Sequence, residues 1–181
     1  MRRAIAFVCC TALFGCNDGA PKPSGAAGST AVAPSPAATV TIEPADYEQL
    51  QRLIAEKRGR FVVLDVWSTY CEPCMQEFPG LVALHRRYGA ERVACISLCA
   101  NFTGLGKPED DRAAALEFLR VQGATFDNRL STVADAQLYA ALGIATVPAV
   151  FVYDRDGRLV KKFDGEVKYA DVDALLAPRL R

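Results

Sequence analysis

Trp67-Ser68-Thr69-Tyr70-Cys71-Glu72-Pro73-Cys74 joins an apolar run, Phe61 to Trp67, to a segment whose apolar residues recur at helical intervals. Two cysteines separated by two residues are a common spacing, and the informative part is their position where a strand ends and a helix begins. A cysteine at a helix N-terminus lies beside unpaired backbone N–H groups and the positive end of the helix dipole. Both stabilise a thiolate and make it a nucleophile. Cys74, one turn later, is placed to attack a mixed disulfide formed on Cys71. Pro73 falls in the first helical turn, where its missing N–H costs little and its fixed φ stiffens the backbone. The pattern predicts thiol-disulfide exchange, with Cys71 attacking and Cys74 resolving.

On either side of this junction, strand-like and helix-like segments alternate from Thr41 onward. This predicts an α/β domain over 41–181 with a central sheet covered on both faces. Tyr47, Leu50, Leu53 and Ile54 predict a helix over Ala45–Lys57. Met75, Phe78, Leu81, Val82 and His85 predict another over Cys74–Tyr88, with a kink at Pro79. Arg92–Cys99 reads as a second strand, 101–107 as a loop and Pro108–Gln122 as a helix. Thr132 and Asp135 have capping-box spacing ahead of a helix that Gly143 ends. Ala149–Tyr153, the turn Asp154-Arg155-Asp156-Gly157 and Arg158–Phe163 read as a β-hairpin, with a last helix over Tyr169–Leu176.

The chain of 181 residues suits one well-buried domain. Its 21 basic and 21 acidic residues balance, so it has no basic field to hold nucleic acid. The N-terminus has the layout of a bacterial export signal: Met1-Arg2-Arg3, the apolar run Ala4–Phe14, then Gly15-Cys16. The run is shorter than the roughly 20 residues a spanning helix needs. Leu13-Phe14-Gly15-Cys16 resembles the lipobox of bacterial lipoproteins, which implies lipidation of Cys16 and anchorage at a membrane without a spanning helix. Phe14 departs from that pattern, where a small or branched residue is commoner. Residues 17–40 are rich in Ala, Gly, Pro, Ser and Thr and read as a tether reaching about 25–30 Å, with a stretched limit near ~80 Å.

Of seven cysteines, Cys95 and Cys99 make up, with Cys71 and Cys74, a superficial zinc-like set. On one strand, however, residues 95 and 99 stand ~13 Å apart, too far for one tetrahedral metal or for a disulfide. They read as buried structural thiols, and neither metal nor other cofactor is expected beyond the redox-active cysteine pair. Asp65 interrupts an apolar strand. Buried there, its carboxylate acquires a raised pKa and can move protons to or from Cys74; the alternative is a structural acid bonded to nearby backbone. The single histidine, His85, makes neither a triad nor a metal site.

The segment from Trp67 to Pro79 resembles the active-site segment of the TlpA/ResA group of extracytoplasmic thioredoxin-like reductases, a resemblance covering about Ile42–Arg181. It implies a thioredoxin-like fold, a central mixed β-sheet flanked by α-helices. Tyr70 stands where that group usually has tryptophan. Val147-Pro148 matches the group's second hallmark, a cis-proline beside the cysteines. The resemblance makes Trp67, Tyr70, Thr146, Val147 and Pro148 the substrate-facing set, the Thr146-Val147 backbone pairing with an extended substrate segment. Asp65 matches the buried aspartate of ordinary thioredoxins, and Glu77 matches a glutamate of the ResA pattern; a solvated helix charge is the other reading of Glu77.

Asp65, Glu72 and Glu77 place negative charge near Cys71 and oppose thiolate formation, whereas strongly oxidising relatives stabilise that thiolate. The expectation is therefore a reductant of disulfides in exported proteins, re-reduced by a membrane thiol-disulfide electron donor and held at the periplasmic membrane surface. Members of the group often reduce apocytochrome c cysteines before haem attachment. A thiol peroxidase would need a proline ahead of the reactive cysteine, which Trp67–Cys71 lacks. A tethered binding module is the non-enzymatic alternative.

Overall fold

The computed structural model describes residues 39–181. The export signal, Cys16 and nearly all of the tether lie outside the described residues. In chain order the elements are β1 (Glu43–Ala45), α1 (Tyr47–Glu56), β2 (Phe61–Trp67), α2 (Glu72–Tyr88) and β3 (Val93–Cys99). A short 3₁₀ turn (Pro108–Asp111) leads into α3 (Arg112–Gln122), and then come β4 (Asp127–Ser131), α4 (Asp135–Leu142), β5 (Ala149–Tyr153), β6 (Leu159–Asp164) and α5 (Tyr169–Leu176).

The six strands form one sheet in the order β1-β4-β3-β2-β5-β6. β1, β4, β3 and β2 run parallel, and β5 and β6 are antiparallel additions. This is the mixed sheet expected of a thioredoxin-like fold. β2 lies at its centre and is buried along its whole length. Side chains alternate across a strand, so Phe61, Val63 and Trp67 face α2, α3 and α5, where Phe78, Leu81, Leu119 and Val172 complete one core. Val62, Leu64 and Val66 face the other way, onto Leu50, Leu53 and Ile54 of α1 and Leu138 of α4. A strand with helices on both faces reads as a continuous apolar run, which is why 61–67 was legible.

Several boundaries differ from expectation. Ala45 belongs to β1; Asp46 caps α1 by accepting from the Gln49 N–H at 2.7 Å, and Gln49 returns the bond at 2.8 Å. α2 begins at Glu72 rather than Cys74 and continues through Pro79 to Tyr88. The expected helix over 108–122 divides into the 3₁₀ turn and α3. The Thr132/Asp135 capping box does not form: the cap position is Ala134, which offers no side-chain acceptor, and the Asp135 carboxylate instead accepts from the Ala136 N–H. Gly143 does end α4, in the left-handed conformation that favours glycine. β4, Asp-Asn-Arg-Leu-Ser, was not foreseen because its polar residues hide a strand. Asn128 is buried by accepting from the Ser97 hydroxyl and donating to the Thr41, Ala124 and Phe126 carbonyls.

α2 and α5 cross at Gly80, where a Cβ would overlap the Cβ and ring atoms of Tyr169. Gly80→Ala should therefore destabilise the fold by about 1–3 kcal/mol in urea unfolding, because overpacking against a buried ring outweighs the roughly 1 kcal/mol that alanine returns in helix propensity. An unchanged or raised midpoint would show that α5 can shift away without loss.

Candidate active site

Cys71 is the N-cap residue of α2, and its Sγ accepts from the Cys74 N–H at 3.2 Å. The two cysteines form a disulfide with Cα atoms 5.3 Å apart. They are unequal: Cys71 is partly exposed, whereas Cys74 is buried. Only Cys71 is open to a partner's sulfur, which fits the attacking role, and Cys74 lies behind it for the resolving role. The helix N-terminus directs unpaired N–H groups at Cys71, the arrangement that favours a thiolate.

By strand alternation Asp65 shares the sheet face of Val63 and Trp67, the face that α2 covers with Cys74 and Phe78. Burial raises its pKa from 3.8 to about 7, partly offset by the hydrogen bond it accepts from the Tyr169 hydroxyl at 2.5 Å. The partner is thus a side chain of α5 rather than nearby backbone. The Tyr169 phenol is itself pushed well above its ordinary value, by burial first and by the Asp65 charge second, so it remains a donor. Tyr169 was missed in the sequence, where it reads as a helix-start aromatic 104 residues from its partner. Glu77, three residues after Cys74, pairs with Lys168 at 3.0 Å, immediately ahead of Tyr169. Its charge is therefore offset, whereas Asp65 and Glu72 have no cation partner among the described residues.

The turn leading to Cys71 is held by Asn101, just past the end of β3. Asn101 Oδ1 accepts from the Ser68 hydroxyl and the Thr69 N–H, both at 2.9 Å, and its Nδ2 donates to Thr69 Oγ1 at 2.6 Å. Cys99 is buried and donates to the same Oδ1 at 3.2 Å; burial pushes its thiol up to about 12, so it stays protonated. Cys95 is buried too, its thiol raised by burial and by Asp65. Tyr70 is 74% exposed and its hydroxyl donates to Asp111 at 2.6 Å, tying the turn to the 3₁₀ segment.

Trp67 requires a correction as a substrate-facing residue. It is 0% exposed, and its ring packs against Phe78 at 5.1 Å and Phe118 at 5.0 Å. Strand alternation points it to the same interior face as Val63, so it supports the site from within the core. On the opposite wall, the Val147-Pro148 peptide bond is cis. Pro148 is buried, Val147 half-buried and Thr146 exposed. Its loop is bracketed by the Lys162 ammonium on the Gly143 carbonyl and by the Gly165 N–H on the Pro148 carbonyl. An open groove of about 400 Å³ lies between the walls, lined by Tyr70, Cys71, Pro73, Tyr139, Thr146 and Val147 among others. His85 lies away from it, its ring packed edge-on against Phe126 at 5.3 Å.

The sequence profile of the Redoxin family matches residues 29–176. The chain is 25% identical over 112 residues to the thiol-disulfide oxidoreductase ResA of Bacillus subtilis (strain 168), covering 62% of this chain and 57% of that one. It is 26% identical to ResA of Bacillus thuringiensis (strain Al Hakam) over 67% of this chain and 64% of that one. The chain thus spans about 57–64% of the length of these two curated relatives. Among solved structures, a thioredoxin family thiol:disulfide interchange protein from Chlorobium tepidum TLS superposes with a TM-score of 0.57 at 19% identity, covering 70% of this chain and 84% of that one. A secreted disulfide oxidoreductase from Mycobacterium tuberculosis, homologous to E. coli DsbE, gives 0.54 at 20% identity over 68% and 85%. The structural likenesses establish the thioredoxin-like fold, and the profile match establishes that the chain belongs to the Redoxin family.

Proposed function

We propose that this chain is a thiol-disulfide oxidoreductase that works as a protein-disulfide reductase. The observation that carries the reading is the position of the Cys71–Cys74 disulfide: at the N-terminus of α2, facing a groove, with one cysteine accessible and the other buried. In the reduced form, the Cys71 thiolate attacks one sulfur of a client disulfide. A mixed disulfide forms and the client's other sulfur leaves as a thiolate that takes up a proton. Asp65 accepts the Cys74 proton, directly or through water, and Cys74 attacks Cys71 Sγ. The client leaves as a dithiol, carrying the two electrons, and the chain is left as the disulfide.

The reductive direction rests on Asp65 and Glu72, neither of which has a cation partner among the described residues, together with the likeness to ResA. Clients are disulfides of exported proteins, with apocytochrome c cysteines as one such class. The chain acts outside the cytoplasmic membrane, anchored through a lipid on Cys16 and re-reduced by a membrane thiol-disulfide donor. The export-type N-terminus and the lipobox-like Leu13–Cys16 support that setting. No helix among the described residues is long and apolar enough to cross a membrane. The Thr146-Val147 backbone holds the client segment by strand addition at the groove wall.

In an insulin-reduction assay supplied with dithiothreitol, the wild type should be active, Cys71→Ser inactive, and Cys74→Ser inactive in turnover while accumulating mixed disulfides. An inactive wild type would point to a binding module instead. The Cys71/Cys74 couple should equilibrate with glutathione at about −250 mV or lower, and a value near the ~ −120 mV of DsbA would reverse the assigned direction.

Asp65 gives a pH signature whose sign is fixed. A carboxyl with a higher pKa in the folded chain than in the unfolded one takes up a proton on folding. Its cost is absent at low pH and grows as pH rises from 3.8 to about 7. Asp65→Asn should match the wild type in stability near the lower limit and exceed it at pH 8, by on the order of 4 kcal/mol. The same variant should slow mixed-disulfide resolution and remove its inflection near pH 7. Parallel stability–pH curves for the two proteins would rule out the raised carboxyl.

A further inference from the structure

We propose that Asn101 is a positioning residue for the exchange reaction, holding the Ser68–Cys71 turn in the one geometry that presents Cys71 to the N-terminus of α2. This inference rests on the reading of Cys71 as the attacking sulfur. Asn101 is 2% exposed, and each hydrogen bond its side chain makes goes to the turn or to the strand end beside it. The Thr69 N–H needs an acceptor, which fixes the orientation of the amide: Oδ1 takes Thr69 N–H, Ser68 Oγ–H and Cys99 Sγ–H, and Nδ2 donates to Thr69 Oγ1.

These bonds determine the rest of the turn. With its proton committed to Asn101, Ser68 Oγ is free to accept from the Tyr70 N–H at 3.1 Å. The Ser68 carbonyl accepts the Cys71 N–H, also at 3.1 Å. Every backbone N–H from Thr69 to Cys71 is thereby occupied, by Asn101 or by Ser68. Cys71 Sγ is left to accept from the helix itself, through the Cys74 N–H. Cys71 owes its extended cap conformation, φ −106° and ψ 98°, to a chain that enters the helix from this stapled turn.

The anchor is itself rigid. Trp67 and Cys99 are partners across the parallel β2–β3 ladder, and the Ala100 N–H donates to the Trp67 carbonyl at 2.7 Å. The two strand ends leave the sheet side by side, and Asn101 bridges the two segments that emerge from them. Asn101 also lines the groove beside Cys71, so the residue that sets the turn borders the place where a client's disulfide must approach.

The test is the pH dependence of Cys71 alkylation by iodoacetamide in the reduced full chain, read on the Cys71 peptide by mass spectrometry, for wild type, Asn101→Ala and Asn101→Asp. Asn101→Ala frees the turn and should shift the alkylation midpoint upward, slowing the reaction at pH 7 at least about threefold as the thiolate loses its helix-terminal donors. Asn101→Asp retains the acceptor oxygens but adds a charge beside the sulfur, and should slow it about tenfold, one pK unit. It also carries the test if the alanine variant does not fold. A role confined to stability would lower the denaturation midpoint of both variants while leaving the Cys71 profile on that of the wild type, and that result would overturn the proposal. Because alkylation needs no client, a wild type with no insulin-reducing activity would remove the functional reading without altering this measurement.

Discussion

The burial of Asp65 in the central strand is the constraint around which this domain is arranged. β2 has helices on both faces, and a carboxylate there has no access to bulk water. An isolated ionised group in such a place is prohibitively costly, so the group shifts its pKa and finds a donor. The donor comes from the far end of the chain, as the first residue of α5. Tyr169 lies against α2 at Gly80, next to the Lys168–Glu77 ion pair, so the hydrogen bond, the close helix crossing and the surface pairing secure one another. The last helix of the domain thus acts as more than a cover for the sheet. It supplies the group that lets an acid exist inside the sheet's covered face.

The second organising feature is the asymmetry between the two sulfurs. Helix α2 starts at the end of β2, so its first turn sits at the rim of the sheet. Cys71 as cap faces outward, and Cys74, a little short of a full turn later, faces the core beside Phe78. Residues three apart share a helical face, so the difference comes from depth: Cys71 is the cap at the exposed helix end, and Cys74 lies inside the first turn, where the core covers it. Environment then adds to it: the cap position is next to helix N–H groups and the groove, and the buried position belongs to the core that α2 closes over the Asp65 face of the sheet. In the proposed exchange, attack and resolution need opposite surroundings, and one helical turn separates them.

Local pattern made much of this legible in advance. The Cys71/Cys74 junction, the hairpin formed by β5 and β6, and the last helix were all visible because their signals lie within a few neighbouring residues. The cis bond at Pro148 came from resemblance to the TlpA/ResA group. Features built by long-range contacts were not visible. Asn101 and Tyr169 lie 33 and 104 residues from Ser68 and Asp65, and no local pattern marks either one. β4 was hidden because Asn128 and Ser131 satisfy themselves by hydrogen bonds that a polar sequence does not advertise. Trp67 was different, since its inward direction follows from alternation with Val63 and Asp65, and the signal was present but outweighed by its closeness to the cysteines.

The contact between Gly80 and Tyr169 also binds the two positions together in sequence space. A larger residue at 80 leaves no room for the Tyr169 ring, and without that ring the hydroxyl that accompanies Asp65 into the core is gone. Substitution at either position therefore alters the value of the residue at the other, and of the acid between them. A glycine with no polar side chain of its own thus helps govern where a proton rests inside the core. In related chains, the side chains at positions corresponding to 65, 80 and 169 are best interpreted as one unit of variation.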